Sequence, residues 1–125
     1  MHSHSIEEVK NYCRSFVGAY EKELLHPNNV LIFYVHDKQF AYFKTSAPEQ
    51  WRFSIRVNPE RFLELTDQPN IKPARYMQRF HWISITEMGL QDINMLKILI
   101  DWSYQKSLSS LSKKTQLEIL ATKVA

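Results

Sequence analysis

The stretch WRFSIRV, residues 51 to 57, alternates without a break. Trp51, Phe53, Ile55 and Val57 fall on one side, and Arg52, Ser54 and Arg56 on the other. A period of two with one apolar side marks an antiparallel strand buried on one face. Asn58-Pro59-Glu60 follows at once and reads as a helix start, with Asn as N-cap, Pro at the first helical position and an acid in the first turn. A one-faced strand feeding a helix needs a sheet around it and helices over its apolar side. The chain is therefore expected to be α+β.

The flanking segments agree. VLIFYV (30 to 35) and QFAYFK (39 to 44) are β-rich runs parted by His36-Asp37-Lys38. This is a hairpin pattern in which Asp37 is expected to take the left-handed turn position. Ser5-Ile6-Glu7-Glu8 reads as a capping box. Behind it Ile6, Val9, Cys13 and Phe16 form the stripe of a first helix that should stop near Gly18. Phe62, Leu63 and Leu65 pack the second helix, Pro69 ends it, and a short helical turn is expected over 74–78. HWISIT reads as another strand, with Ile83 and Ile85 on one side and Trp82 and Ser84 on the other. A long helix runs from about Asp92 to Ser109, burying Ile93, Leu96, Ile100, Tyr104 and Leu108. Ser112 caps a last helix. One domain spanning 1–125 is expected, its antiparallel sheet covered on one face by the first and long helices together.

Composition narrows the function classes. No apolar run approaches the ~20 residues of a membrane span, and no charged start leads into an apolar leader segment. Cys13 is the sole cysteine, which rules out an intrachain disulfide and a cysteine metal cluster. It reads as a small buried hydrophobe, and the expected location is a reducing cytoplasm. Two glycines leave no Gly-rich phosphate loop, and no metal spacing links His26, His36 and His81. His81, beside Trp82, reads as a hydrogen-bonded structural residue. Ser103 and Tyr104 are adjacent on a helix and do not face each other. Tyr104 is assigned to the core and Ser103 to a local bond. No catalysis, cofactor or metal is expected.

Beyond these features, HDKQFAYF (36 to 43), RVNPERFLELTDQPNIKPARYMQRFHWISI (56 to 85) and LIDWSYQKSLSSLSKK (99 to 114) resemble the MmcQ/YjbR family of small bacterial proteins. The resemblance runs from Ile6 to about Leu120. Its most specific part is Pro73-Ala74-Arg75-Tyr76 followed by His81-Trp82, with Ser103-Tyr104 downstream. It implies a frataxin-like (CyaY-like) α+β fold in a double-wing arrangement, and a DNA-binding role. Val17 stands before Gly18-Ala19 where the family tends to have Pro, and Asp37 stands where Gly is common; both are turn positions. Iron handling would need an acidic ridge. Glu7, Glu8, Glu21 and Glu23 are interspersed with basic residues, which argues against it.

Net charge is +3 with a pI near 9.0, and the excess lies mid-chain. Under one reading Lys44, Arg52, Arg56, Lys72, Arg75 and Arg79 hold the phosphates of DNA, while Tyr42 and Trp82 offer faces for base stacking. Under the other, Tyr76, Phe80 and Trp82 fill the core and the cations form its solvated rim. The chain is then a protein- or small-ligand-interaction domain, with its groove between the sheet and the terminal helices. Strand parity pairs Tyr42 with Lys44 and Arg52 with Arg56. It does not decide whether the two pairs share a face.

Overall fold

The computed structural model describes residues 6–75, 77 and 80–122. In chain order these form α1 (Ile6–Arg14), β1 (Ala19–Leu24), β2 (Val30–Val35), β3 (Lys38–Lys44), β4 (Phe53–Arg56), α2 (Pro59–Thr66), β5 (Ile71–Pro73) and β6 (Trp82–Ile85). A 3-10 turn at Met88–Leu90, α3 (Ile93–Ser109) and α4 (Lys113–Ala121) complete the order. The strands make one six-stranded sheet in the order β1-β2-β3-β4-β6-β5, antiparallel at every pairing.

Helix starts follow their side chains. Asn58 accepts from the Glu60 amide at 2.9 Å, and Asp92 accepts from the Asn94 amide at 3.0 Å. Ser112 accepts from the Thr115 amide at 3.2 Å. Each bond satisfies an amide that the first helical turn would leave unpaired. The expected capping box depends on Ser5, which lies outside the described residues.

One face of the sheet carries the core. Phe33, Phe43, Phe53, Ile55, Ile83 and Ile85 pack with Val9 and Cys13 of α1 and with Leu96, Leu99 and Ile100 of α3. Tyr12 on α1 donates to Asp101 on α3 at 2.5 Å, and Phe16 stacks on Tyr104 with ring centroids 4.3 Å apart. The first and long helices therefore share a face, as expected. The centre of the layer between sheet and helices is filled by these side chains.

Other expectations need correction. The left-handed hairpin residue is His36, at φ 56°, rather than Asp37. Asp37 instead holds the His36 ring nitrogen at 3.2 Å. Helix α1 ends at Arg14, short of Gly18, although Gly18 does take the left-handed conformation at φ +75°. Over 74–78, the Met77 amide bonds the Ala74 carbonyl at 3.1 Å, which is a turn; Tyr76 and Gln78 lie outside the described residues. Ser103 does not bond locally. Fully buried, it donates to the Phe40 carbonyl at 2.6 Å and accepts from the Arg56 amide at 3.2 Å. It thereby fastens α3 to β3 and to the end of β4.

Candidate nucleic-acid interface

The sheet face opposite the helices is ordered by strand register. Ile32 pairs with Tyr42, Tyr42 with Ser54, Ser54 with Ser84, and Ser84 with Lys72. Side chains directly opposite in such a ladder stand on the same face. A row Ile32–Tyr42–Ser54–Ser84–Lys72 therefore crosses β2, β3, β4, β6 and β5. Lys44, two residues past Tyr42, is on this face, as are Arg52 and Arg56 on either side of Ser54. The basic positions of separate strands thus do share a surface.

The polar side of β4 is not solvated as the alternation implied. Ser54 and Ser84 are buried, and their hydroxyls meet at 2.8 Å. The reason is the pair of rings above them. Tyr42 and Trp82 stack with centroids 5.8 Å apart and planes at 29°, meeting over β4 where Ser54 leaves room. Trp82 is only 4% exposed. As a platform for a stacking base it is spent: β6 is an interior strand, and one face of the indole already meets Tyr42. Tyr42 stays half-buried.

Next to this stack lies a cleft of about 810 Å³, lined by Tyr42, Lys44, Glu49, Arg52, Lys72, Arg75 and Ser84, together with Pro48 and Pro73. Four cationic residues and one carboxylate line it. The loop from Thr45 to Arg52 forms one wall and is fixed from inside. The Lys44 ammonium donates to the carbonyls of Ser46 at 3.1 Å and Pro48 at 2.9 Å. Glu49 and Trp51 in this loop have φ of 59° and 68°, a region that residues with large side chains rarely enter. Trp51 is anchored against Phe43 and beneath the Lys10 ammonium, 4.4 Å from its ring centroid.

This loop brings Glu49 to the cations. Its carboxylate takes Arg52 Nη1 at 3.1 Å and Lys72 Nζ at 3.1 Å. The Lys72 bond, helped by Arg52, holds the Glu49 carboxyl below its usual range. Arg52 Nε is buried without a hydrogen-bond partner.

Of the eight residues singled out in the sequence, Tyr42, Lys44, Arg52, Lys72 and Arg75 meet at this cleft. Arg56 and Trp82 instead line a second cleft of about 370 Å³ with Met77, Phe80 and Lys106, at the hairpin end of the sheet. Arg79 lies outside the described residues. The sequence reading missed the role of Glu49; the available signal was its place as the one acid between Lys44 and Arg52. Among the described residues no group of three or more His, Cys, Asp and Glu is placed to hold a metal, and no helix is long and apolar enough to cross a membrane.

The YjbR family model matches residues 14–106. The Escherichia coli K12 protein YjbR is 25% identical over 111 residues, which cover 88% of this chain and 92% of that protein. The fold is shared with a crystal structure from Deinococcus radiodurans assigned to domain DUF419. The TM-score there is 0.77 at 21% identity, covering 95% of this chain and 88% of the other. A Pseudomonas syringae protein superposes with a TM-score of 0.65 at 19% identity, covering 83% of this chain and 99% of its own. With the α+β architecture and the match across most of its length, the chain belongs to the YjbR family.

Proposed function

We propose that this protein binds nucleic acid, DNA foremost, through the phosphate backbone and without a catalytic step. The observation that carries the reading is the convergence of Lys44, Arg52, Lys72 and Arg75, from three strands and their ends, on one cleft of the helix-free face. Phosphate contacts supply most non-specific affinity for nucleic acid, and clustered Arg and Lys are the groups that make them. Arg56, with Lys38 and Lys106 near it, extends the positive surface toward the hairpin end. Stacking has a small part, since Trp82 is covered and Tyr42 alone offers an edge. The non-enzymatic half of the reading is supported by how the nucleophile candidates are used. Ser103 is hydrogen-bonded inside the fold, and the Tyr104 hydroxyl donates to the Val17 carbonyl at 2.6 Å.

The concavity of the cleft favours a second reading, a compact anionic ligand held by the same cations. Binding of single-stranded and duplex oligonucleotides of unrelated sequence, followed by fluorescence anisotropy at ~50 mM salt, separates the two. Electrostatic attraction is barely screened there. The nucleic-acid reading expects measurable affinity for both, with little sequence preference. An absence of binding at that salt contradicts it and leaves the small-ligand reading.

A further inference from the structure

We infer that Glu49 is an internal stand-in for the ligand's oxyanion: its carboxylate occupies the phosphate subsite formed by Arg52 and Lys72, and a phosphate binds by displacing it. This rests on the phosphate-binding reading of the cleft and names the point where that binding is controlled.

The geometry is that of a site already holding an anion. Arg52 precedes β4 and Lys72 belongs to β5, with β6 between these strands. Their charged ends nonetheless converge at 3.1 Å each on one carboxylate. That carboxylate reaches them from a loop residue in the left-handed region. Such a conformation persists when the surrounding structure holds it, and it clusters at functional sites. Here the Lys44 ammonium fastens the loop through two carbonyls.

The fit of Glu49 is incomplete, and the defect points to the ligand. A guanidinium offers two parallel donors to a planar or tetrahedral oxyanion. Glu49 engages Arg52 at Nη1 and turns the rest of its acceptor capacity to Lys72. Arg52 Nη2, the donor parallel to Nη1, takes no part in that contact. A phosphodiester presents two charged oxygens, as a carboxylate does, but on a tetrahedral centre, and each accepts more than one hydrogen bond. It can take the parallel Nη1 and Nη2 donors of Arg52 together and still meet the Lys72 ammonium. Displaced, Glu49 returns to solvent, to which its side chain is already 34% exposed.

The test compares the wild type with Glu49→Gln, which keeps size and hydrogen bonding but removes the charge. Glu49→Asp is a second variant that keeps the charge and withdraws it from both cations. Two probes are titrated: a fluorescein-labelled oligodeoxythymidylate by anisotropy, and inorganic pyrophosphate by calorimetry. Thermal melts confirm folding. Glu49→Gln should bind the oligonucleotide roughly five- to tenfold more tightly, with a salt slope steeper by about one contact. Glu49→Asp should fall between. Glu23→Gln, a charge removal on the exposed edge strand β1, should change nothing. If the wild type binds the oligonucleotide and Glu49→Gln leaves affinity equal or weaker, the inference falls while the nucleic-acid reading stands. An equal gain in Glu23→Gln overturns it as well, since the effect is then net charge alone. If no variant binds the oligonucleotide, the nucleic-acid reading falls. Tighter pyrophosphate binding by Glu49→Gln then still supports the subsite, and no pyrophosphate binding by any variant overturns it.

Discussion

Ser103 donates its hydroxyl proton to the carbonyl of Phe40, 63 residues earlier in the chain, at 2.6 Å. The same oxygen accepts the Arg56 amide, so one side chain closes backbone groups on two strands. Ser103→Ala leaves both without that partner in a buried setting. The expected cost is about 1–3 kcal/mol, read as a lower urea midpoint at unchanged slope. A change below ~0.5 kcal/mol would mean that the backbone groups find other partners.

Gly18 joins α1 to β1 at φ +75°, and a Cβ there would lie 2.7 Å from Ile119 Cγ2 on α4. Gly18→Ala meets two obstacles, a disfavoured backbone conformation and a collision with a packed side chain. A loss of about 1–3 kcal/mol is expected. Adding Ile119→Ala should recover the steric part only, because the backbone part is independent of α4.

How much of this was legible beforehand can be judged residue by residue. Helices α2, α3 and α4 announced themselves through Asn58, Asp92 and Ser112, because capping is a local interaction. Edge strand β1 did not. Its sequence, AYEKEL, is exposed over its middle residues, so no buried side imprints an alternation, and charge on an edge protects against unwanted pairing. Strand β5 spans Ile71–Pro73, and its proline suits an edge where one amide needs no partner. The candidate site was half legible. Residue types and strand parity could be read directly, whereas the coincidence of faces depends on register between strands that follow one another out of sequence order. Burial of Trp82 depends on Tyr42 reaching it across Ser54, and the part played by Glu49 depends on a loop conformation. Both are tertiary facts with no local signature.

The Tyr12 hydroxyl is pushed up to about 12 by burial and by its bond to Asp101. An unfolded chain ionises this group at its ordinary 10.0. Between those values the folded state holds the proton and the unfolded state has lost it. The stabilisation is therefore complete below about pH 10 and is lost as pH rises toward 12. Tyr104, also raised by burial, acts in the same direction. Denaturation of Tyr12→Phe across this range should show a flatter pH dependence than the wild type. Identical profiles would assign the alkaline loss to other groups.

Cys13 is fully buried in the core, and burial pushes its thiol well above the usual range. A thiol that is neither ionised nor accessible reacts slowly. An aromatic disulfide reagent should label the native protein at the rate of its opening and label it at once in denaturant. Fast native labelling would place Cys13 on a mobile part of the fold.

The central claim is that the cleft at Arg52 and Lys72 is where phosphates bind. Anisotropy of a labelled oligonucleotide, followed from ~50 to ~200 mM salt for the wild type and for Arg52→Ala combined with Lys72→Ala, tests it most directly. Each phosphate contact contributes about one unit to the dependence of log affinity on log salt. The account predicts weaker binding by the double variant for all sequences alike, with a slope flatter by about one to two units and the fold intact by thermal melt. An unchanged slope and affinity in a folded double variant would contradict it.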